Sequence, residues 1–516
     1  MTTPRRGCAG IVAMAITFVA GANLSAQCPD GSPPPCSRAA GRPTSAHSVA
    51  VLYLQSSSRD TADAGMADGL TEEIIARLSQ VSGLRVASRY ASQTYRGRRL
   101  ADPRQVGREL RVRYVLDGTL RRAGQSLRVV LVITDATGGF NVWGQTYERP
   151  VNEIFSVEDS VAVQVAEAVL GRISAADRAR LAPPPASAST DAYQAYLRGR
   201  VAIRDRTAAA ATVAVTRYRE AIALDPRFAR AWAGLAHALA LARDWGWAVS
   251  GVAADSVQPL ATLAARQALA LDSASADSWL AAAMATRAVD MDRALMLHRR
   301  AVATDSGGVE AIHQLAWGFL ATGKLDSAQA LERRAIARDP YYAFGYAGLG
   351  TMLNLSGHFA DALAVLAQGM AVDSMNAPLY WQQADALLAL GRLPEARAAA
   401  DRAAALGFDS VGAEVLRAIA RLRAGDTAAV RGELPDLERI AAADPVRSRG
   451  GLAYSRSRFL SALYAQLGDA AGAVRWAQQV PDWPRRYYAV LFGRHWFWEP
   501  VRSDPRFQAL LAALRT

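Results

Sequence analysis

The chain has 516 residues, of which 51% are hydrophobic and 21% are charged. This length exceeds what one hydrophobic core usually supports, so we expect two or more domains, and the composition excludes a wholly disordered chain. The formal net charge is +12, but Lys324 is the only lysine and the arginines are scattered in short doublets. Because phosphate recognition uses clustered cations, we expect no nucleic acid among the partners, whereas acidic proteins or an anionic envelope surface remain compatible.

Residues 1–26 have the features of an export signal. Arg5 and Arg6 supply the positive start, residues 11–22 are apolar but too few to span a bilayer, and Ala26 ends an acceptable cleavage site. We therefore expect a periplasmic or secreted protein with a cleaved signal peptide. A retained membrane anchor is the alternative, and membrane contact is then expected only through that anchor or through an envelope partner.

A linker rich in proline and serine is predicted for residues 27–46, and it contains the cysteine pair Cys28 and Cys36. In an oxidising compartment we expect these two residues to form a local disulfide. A metal site is the rival interpretation, but two sulfurs without nearby histidines do not complete a tetrahedral shell. We expect neither a metal nor another cofactor.

Residues 47–175 alternate between strand-like and helix-like patterns, which predicts a small α/β domain. Its mixed sheet is expected to contain an antiparallel meander, because the last three strand patterns are separated only by short turns. The predicted strands cover residues 48–54, 84–88, 114–121, 127–134 and 141–148, and the predicted helices cover residues 64–80, 104–110 and 154–173.

Four sequence blocks in this region resemble the TolB-like amino-terminal domain. They are Ala67-Asp68-Gly69-Leu70-Thr71-Glu72-Glu73, the stretch from Gly107 to Gly118, the aromatic block from Trp143 to Arg149, and Ile154-Phe155-Ser156-Val157. That family occurs in bacterial regulators, often ahead of helical repeats and behind a cyclase, kinase or DNA-binding output domain. The resemblance implies the fold and a non-catalytic role, and it leaves the ligand open. Tyr53 departs from the family pattern, which usually has proline there.

After a linker of proline and alanine at residues 176–190, the chain repeats itself. Segments that begin at Val309, Ala343 and Ala377 align with a shift of 34 residues, and small residues recur at the eighth and twentieth places. This pattern resembles tetratricopeptide repeats and predicts an all-α superhelical solenoid over residues 191–516. We count about seven units, with an insertion near Trp245 and an aromatic carboxy-terminal tail that caps the last unit.

A solenoid of helix pairs offers a concave groove lined by the first helix of each pair, and the repeat frame nominates side chains that face it. Aromatic anchors with a few polar groups suit peptide capture. An equally weighted alternative is that Trp317 and Trp381 are packing residues. The Lys/Asn arrangement that holds a peptide carboxylate in some tetratricopeptide domains is absent. The groove candidates are Arg230, His237, Arg287, His313, Trp317, Phe344, Asn354, Trp381 and Asp385.

No sequence motif assembles a catalytic site. None of the six histidines has a partner four residues away, and phosphate-binding loops and nucleophile elbows are missing. Glu72 and Glu73 are adjacent, so they point about 100° apart on a helix, and we interpret them as a solvated first turn.

The sequence therefore predicts an exported, non-enzymatic scaffold or adaptor that binds proteins or peptides through its repeats. In this interpretation the TolB-like domain docks to another protein or senses a ligand. The alternative is a regulatory module related to the accessory regions of nucleotide cyclases, kinases or transcriptional regulators. The partner, the pathway and the oligomeric state stay open.

Overall fold

The computed structural model describes residues 45–56, 61–97, 102–181, 187, 189–305, 308–443, 455–480 and 485–515. Residues from Ser45 onward belong to one compact unit. The predicted signal peptide and the pair Cys28 and Cys36 lie outside the described residues. Among the described residues, no helix combines the length and the apolar character that a bilayer crossing requires.

A mixed sheet forms the first part of the described chain, as predicted. The strands lie in the order β3-β1-β4-β5-β6, and β2 also pairs with β4. β1 is parallel to β3 and β4, whereas β4, β5 and β6 pair antiparallel in chain order. The strands are β1 Ser45–Val51, β2 Gln55–Ser56, β3 Arg85–Val86, β4 Val112–Ala123, β5 Ser126–Asp135 and β6 Phe140–Pro150.

Two long helices cover the sheet, and their apolar faces pack with the strands in one hydrophobic core. The helices of this part are α1 Thr61–Leu78, α2 Arg89–Gln93, α3 Pro103–Leu110, α4 Ile154–Leu170 and α5 Ala175–Leu181. The sequence patterns did not predict α2 or α5, which are short. α5 occupies the first part of the predicted linker, and the Ser174 hydroxyl accepts a hydrogen bond from the backbone N–H of Asp177 at its start.

Replacing Gly118 in β4 by alanine should destabilise the protein by about 3 kcal/mol, because overpacking a closely packed core forces the backbone to move. A Cβ atom there would lie 2.0 Å from the carbonyl oxygen of Val130. Gly144 in β6 provides a matched control, because a Cβ would lie 3.6 Å from the Leu131 carbonyl oxygen, an ordinary contact. Urea unfolding of both variants measures the difference, and equal stabilities would contradict this account.

Antiparallel helix pairs form the rest of the described chain. Eight successive pairs lie within the described residues, one more than the sequence predicted, because the later, divergent units also fold as pairs. Their helices are α6 Thr190–Ile203, α7 Ala208–Leu224, α8 Ala229–Trp245, α9 Val257–Leu271, α10 Ala276–Thr286, α11 Met291–Thr304, α12 Val309–Ala321, α13 Leu325–Arg338, α14 Ala343–Leu355, α15 Phe359–Val372, α16 Ala377–Ala389, α17 Leu393–Ala405, α18 Ser410–Arg423, α19 Thr427–Ala442, α20 Arg456–Gln466 and α21 Ala470–Ala477.

The 34-residue register is confirmed in the middle of this array. Helices α12, α14 and α16 begin at Val309, Ala343 and Ala377, the same residues that mark the sequence repeat. The small residues of the repeat lie where helices approach closely. At Gly350, for example, a Cβ atom would lie 2.6 Å from Cδ2 of Leu366 in the second helix of the same pair.

Each of these three first helices ends at a glycine with a positive φ angle. Gly323 has φ of 77°, and the N–H of the following residue, Lys324, donates to the carbonyl oxygen of Phe319. Glycine adopts this left-handed conformation without a steric penalty, so it stops the first helix and reverses the chain into the second.

The carboxy-terminal tail packs onto the last helix pair. It consists of α22 Arg485–Arg494, a 3-10 turn at Trp496–Val501 and α23 Pro505–Arg515. Trp498 is buried, and its indole N–H donates to the hydroxyl of Ser461 at 3.0 Å. The same tail reaches back to earlier repeats, because Tyr487 contacts Trp317 with ring centroids 6.4 Å apart.

Candidate functional site

Helix α1 of the α/β domain packs directly against the first helix of the first repeat. A Cβ atom at Gly69 would lie 2.7 Å from Cδ1 of Leu197 in α6, so only glycine permits this approach. The cores of the two parts are also continuous, since residues of both belong to one hydrophobic cluster. The α/β domain is therefore bound tightly to the beginning of the repeat array.

A group of buried charged side chains, here called the acid–arginine cluster, stabilises the contact between α1 and the first repeats. Glu73 accepts hydrogen bonds from Arg77 Nε at 3.2 Å, from Arg200 Nη1 at 3.3 Å and from Arg230 Nη1 at 2.9 Å. The other members of the cluster are Asp68, Glu72 and Arg204, which are joined to these residues or to one another by ion pairs.

The prediction that Glu72 and Glu73 form a solvated first turn is wrong. Both are only 2% exposed, because the arginines of α6 and α8 cover them. Burial alone would raise the pKa of Glu73, but the charges of Arg230, Arg200 and Arg77 outweigh it and lower that pKa to about 2. Both carboxyl groups are thus ionised components of the interface.

Tyr53, the position that departs from the TolB-like pattern, lies beside the acid–arginine cluster. Its hydroxyl donates to Oε1 of Glu72 at 3.0 Å and accepts a hydrogen bond from Nη1 of Arg204 at 2.8 Å. Tyr53 therefore links the end of β1 to the first helix pair through Glu72 and Arg204.

A second contact joins the α/β domain to the turn before α14. The ring centroids of Tyr90 and Tyr342 lie 5.1 Å apart, and the hydroxyl of Tyr341 donates to the carbonyl oxygen of Glu109 at 3.3 Å. The α/β domain thus touches the repeat array at its first two helix pairs and at its fifth.

The predicted groove residues near the amino-terminal repeats contact the chain itself. Arg230 belongs to the acid–arginine cluster. His237 is partly buried, and burial lowers its pKa to about 4, so its side chain is neutral near pH 7.

Three of the predicted groove residues lie deeper in the array and are also buried by neighbouring side chains. Trp381 is 3% exposed and stacks on Phe408 with ring centroids 4.6 Å apart. The side-chain amide of Asn354 donates to the carbonyl oxygen of Gln382 at 3.0 Å. Asp385 accepts a hydrogen bond from the Trp496 indole and contacts a ring nitrogen of His495, both at 2.8 Å.

The remaining four, Arg287, His313, Trp317 and Phe344, line one cavity on the side of the first helices. This cavity, here called the central chamber, spans about 590 Å³, a volume that includes space open to solvent. Its lining residues are Arg206, Leu241, Asp244, Trp245, Arg287, His313, Gln314, Trp317, Phe344, Ala347, Gly348, Thr351, Pro378 and Gln382. Four of the nine groove candidates that the repeat frame predicts therefore lie together at one site.

A second cavity of about 490 Å³ adjoins the central chamber, and the two share Trp317, Thr351 and Gln382. Side chains of the carboxy-terminal tail, including Tyr487 and His495, line its other side. The tail therefore borders the same face of the first helices as the central chamber.

Charged pairs and aromatic rings alternate around the central chamber. The guanidinium of Arg206 lies 3.8 Å from the ring centroid of Phe344, and it forms an ion pair with Glu310 at 2.6 Å. The Nδ1 atom of His313 lies 2.8 Å from Oε1 of Glu332. Such walls can hold an apolar or aromatic group and donate hydrogen bonds to an acceptor that it carries.

Several chamber residues escaped the sequence reasoning. Arg206 lies in the turn between α6 and α7, outside the first-helix positions that the frame counts, and Gln314 lies one position beyond His313. Trp245 lies at the insertion in the repeat pattern, so the repeat frame gives it no groove position. Its position at the end of α8 brings it to the same wall. In the described residues, no group of three or more His, Cys, Asp or Glu side chains forms a potential metal site.

No family model matches the chain. A protein named putative adenylate cyclase 3, from Rhizobium meliloti (strain 1021), is 36% identical over 188 residues. The match covers 36% of this chain and 32% of that protein, so the similarity spans about a third of the relative's length.

Solved structures with similar helical regions include PilF of Pseudomonas aeruginosa, with 19% identity, a TM-score of 0.32 and coverage of 36% of this chain and 85% of that chain. A tetratricopeptide repeat protein from Parabacteroides merdae has 11% identity, a TM-score of 0.35 and coverage of 49% and 93%. A chain of the APC/C hetero-tetramer Cut9–Hcn1 has 13% identity, a TM-score of 0.43 and coverage of 69% and 60%. The conclusion that the helical part contains tetratricopeptide-type helix pairs stands on the 34-residue register of its own helices.

Proposed function

We propose that the chain is an exported, non-enzymatic scaffold that binds partner proteins through the first helices of its middle repeats. The observation that carries this proposal is the central chamber, where Trp245, Trp317 and Phe344 stand among polar side chains. Aromatic side chains of this kind are the usual anchors of protein and peptide recognition. A TolB-like domain docked on the first repeats would serve as a docking or sensing module.

The acid–arginine cluster restricts where a partner binds. Arg200, Arg204 and Arg230 hold the carboxylates of α1, so these three basic side chains of the first two repeats are used within the chain. A partner segment is therefore expected at the chamber, between α8 and α16.

Site-specific photocrosslinking tests this proposal in cells that express the full chain. We place an aromatic photoreactive residue at Phe344, which lines the central chamber, and as a control at the exposed Phe140 on β6. The two positions are matched, since the probe replaces a phenylalanine at each of them. A discrete protein adduct from position 344 and none from position 140 supports the scaffold. Identical adduct patterns at both positions, or none at either, contradict it.

Export belongs to the same proposal and has its own test. Arg5, Arg6 and the apolar stretch at residues 11–22 support a cleaved signal. Amino-terminal sequencing of protein recovered from the periplasm or medium should begin at Gln27, and thiol titration under denaturing conditions should detect no free Cys28 or Cys36. Recovery of an uncleaved chain with the membranes would support the anchored alternative.

A regulatory module is the second candidate, and the similarity to a protein named putative adenylate cyclase favours it. Incubation of the purified chain with ATP should yield neither cyclic nucleotide nor phosphoprotein. Formation of either product would contradict the non-enzymatic proposal.

A further inference from the structure

We propose that the central chamber binds a small organic anion that carries an aromatic ring, such as an aromatic carboxylate. The proposal rests on the function proposed above, because it assigns a ligand class to the same surface. The chamber is lined by both aromatic rings and a buried arginine, the combination that such a ligand requires.

Arg287 supplies the positive charge for this ligand. It is 7% exposed, and its ion-pair partner Asp244 also accepts hydrogen bonds from Arg243, so two guanidinium groups share one carboxylate. Nη1 of Arg287 donates to Gln314 at 2.8 Å, whereas its Nε has no acceptor among the described residues. Arg287 thus has both charge and a donor left for an anion.

The electrostatics of Arg287 point in the same direction. Burial, with a further contribution from the charge of Arg243, lowers the pKa of Arg287 well below its usual range. Arginine stays protonated in proteins, so this direction indicates a buried cation with incomplete compensation. An anion beside it would supply the missing negative charge.

The other charged groups of the wall are already balanced. Arg206 pairs with Glu310, which also accepts a hydrogen bond from the hydroxyl of Tyr342 at 2.9 Å. His313 and Glu332 contact each other. Arg287 differs from these groups, because it shares its one carboxylate partner, Asp244, with a second guanidinium.

Aromatic side chains supply the rest of the recognition. Trp245, Trp317 and Phe344 line the chamber. The Phe344 ring also makes a cation–π contact with the guanidinium of Arg206. An aromatic ring of the ligand would gain offset-stacked or edge-to-face contacts with these side chains, and each such pair adds to the affinity. The ligand chemistry that satisfies both features is a carboxylate attached to an aromatic ring by a short chain.

Titration of the full mature chain with phenylpropionate, followed by tryptophan fluorescence and calorimetry, tests the proposal. The neutral isostere phenylpropanol is the ligand control. We expect phenylpropionate to bind at least about tenfold more tightly, because the alcohol cannot use the excess charge of Arg287. Equal affinity for the two compounds, or no measurable binding of the acid, would overturn the inference.

Two variants locate the site. Thr351→Leu fills the chamber while it leaves every ion pair in place, and we expect it to abolish binding. The exposed variant Thr216→Leu on α7 should bind as the wild type does, and it is matched because each threonine hydroxyl donates to the carbonyl oxygen four residues earlier. Arg287→Gln should weaken binding of the acid at least tenfold and leave the alcohol unaffected, and Asp244 keeps Arg243 as its partner in this variant. Unchanged binding by Thr351→Leu would place the ligand elsewhere and overturn the proposal.

A peptide that ends in phenylalanine with a free carboxyl group separates the two sources of this chemistry. Tighter binding of that peptide than of phenylpropionate, by tenfold or more, would identify the end of a partner chain as the occupant and overturn the small-molecule assignment. Absence of the crosslink at position 344 together with normal titration would refute only the scaffold function. A normal crosslink without titration would refute only this inference.

Discussion

Replacement of Glu73 by alanine is expected to lower the free energy of unfolding by about 3–5 kcal/mol, because it leaves buried guanidinium groups without their carboxylate. Glu73 is the point where Arg77, Arg200 and Arg230 meet, and its side chain is only 3% exposed. Equilibrium unfolding in guanidinium chloride measures the loss. Since α1 and the first repeats share one core, the transition should remain cooperative in the wild type.

Glu148 provides the matched control for this prediction. It forms an ion pair with Arg128 at 3.3 Å, but the two side chains are 63% and 58% exposed. Exposed pairs contribute about 0–1 kcal/mol, so Glu148→Ala should unfold almost as the wild type does. Equal losses for the two variants would show that burial of the acid–arginine cluster has no energetic consequence.

The same cluster predicts a dependence on pH. The pKa of Glu73 falls from an ordinary value of about 4.5 to about 2 in the folded chain. Because the folded pKa is the lower one, its contribution is complete above about pH 4.5 and is lost as the pH falls towards 2. The shift corresponds to about 3 kcal/mol.

Glu73→Gln isolates this contribution, since its side chain does not titrate. Glu310 also has a lowered pKa, held down by Arg206, so both proteins should lose stability in acid. The wild type should lose about 3 kcal/mol more than Glu73→Gln between pH 4.5 and pH 2. Parallel curves for the two proteins would contradict the assigned pKa.

The repeat register and the approximate positions of the long strands were accessible from the sequence because they are encoded locally. Hydrophobic spacing within about 30 residues marks a helix pair, and the repeat segments aligned at Val309, Ala343 and Ala377 coincide with the starts of α12, α14 and α16. Boundaries elsewhere differed by a few residues, as for α1, predicted at residues 64–80 and found at Thr61–Leu78. Short elements such as α2 span too few residues for a periodic pattern.

The acid–arginine cluster was not accessible in this way. Arg200 follows Glu73 by 127 residues, and nothing near either residue identifies its partner. The repeat frame predicts groove residues only if no other part of the chain covers the face of the first helices. The α/β domain and the carboxy-terminal tail cover parts of that face, which explains why Arg230 and Asp385 have partners within the chain.

Trp381 and Trp317, for which the sequence left groove and packing roles equally open, are expected to behave differently when each is replaced by alanine. Trp381→Ala should destabilise the protein by about 3–5 kcal/mol, the range for removing a large buried aromatic side chain. Trp381 is 3% exposed, stacked on Phe408, and 4.9 Å from the ring centroid of Phe459. Guanidinium chloride unfolding measures the loss.

Trp317 is the control, because it is only partly buried and lines both cavities. Its replacement by alanine should cost less stability than that of Trp381, since less apolar surface returns to water. It should nevertheless weaken binding in the central chamber, which Trp381 does not line. If Trp381→Ala instead keeps wild-type stability and loses only ligand binding, then Trp381 is a recognition residue and its stacking on Phe408 does not support the fold.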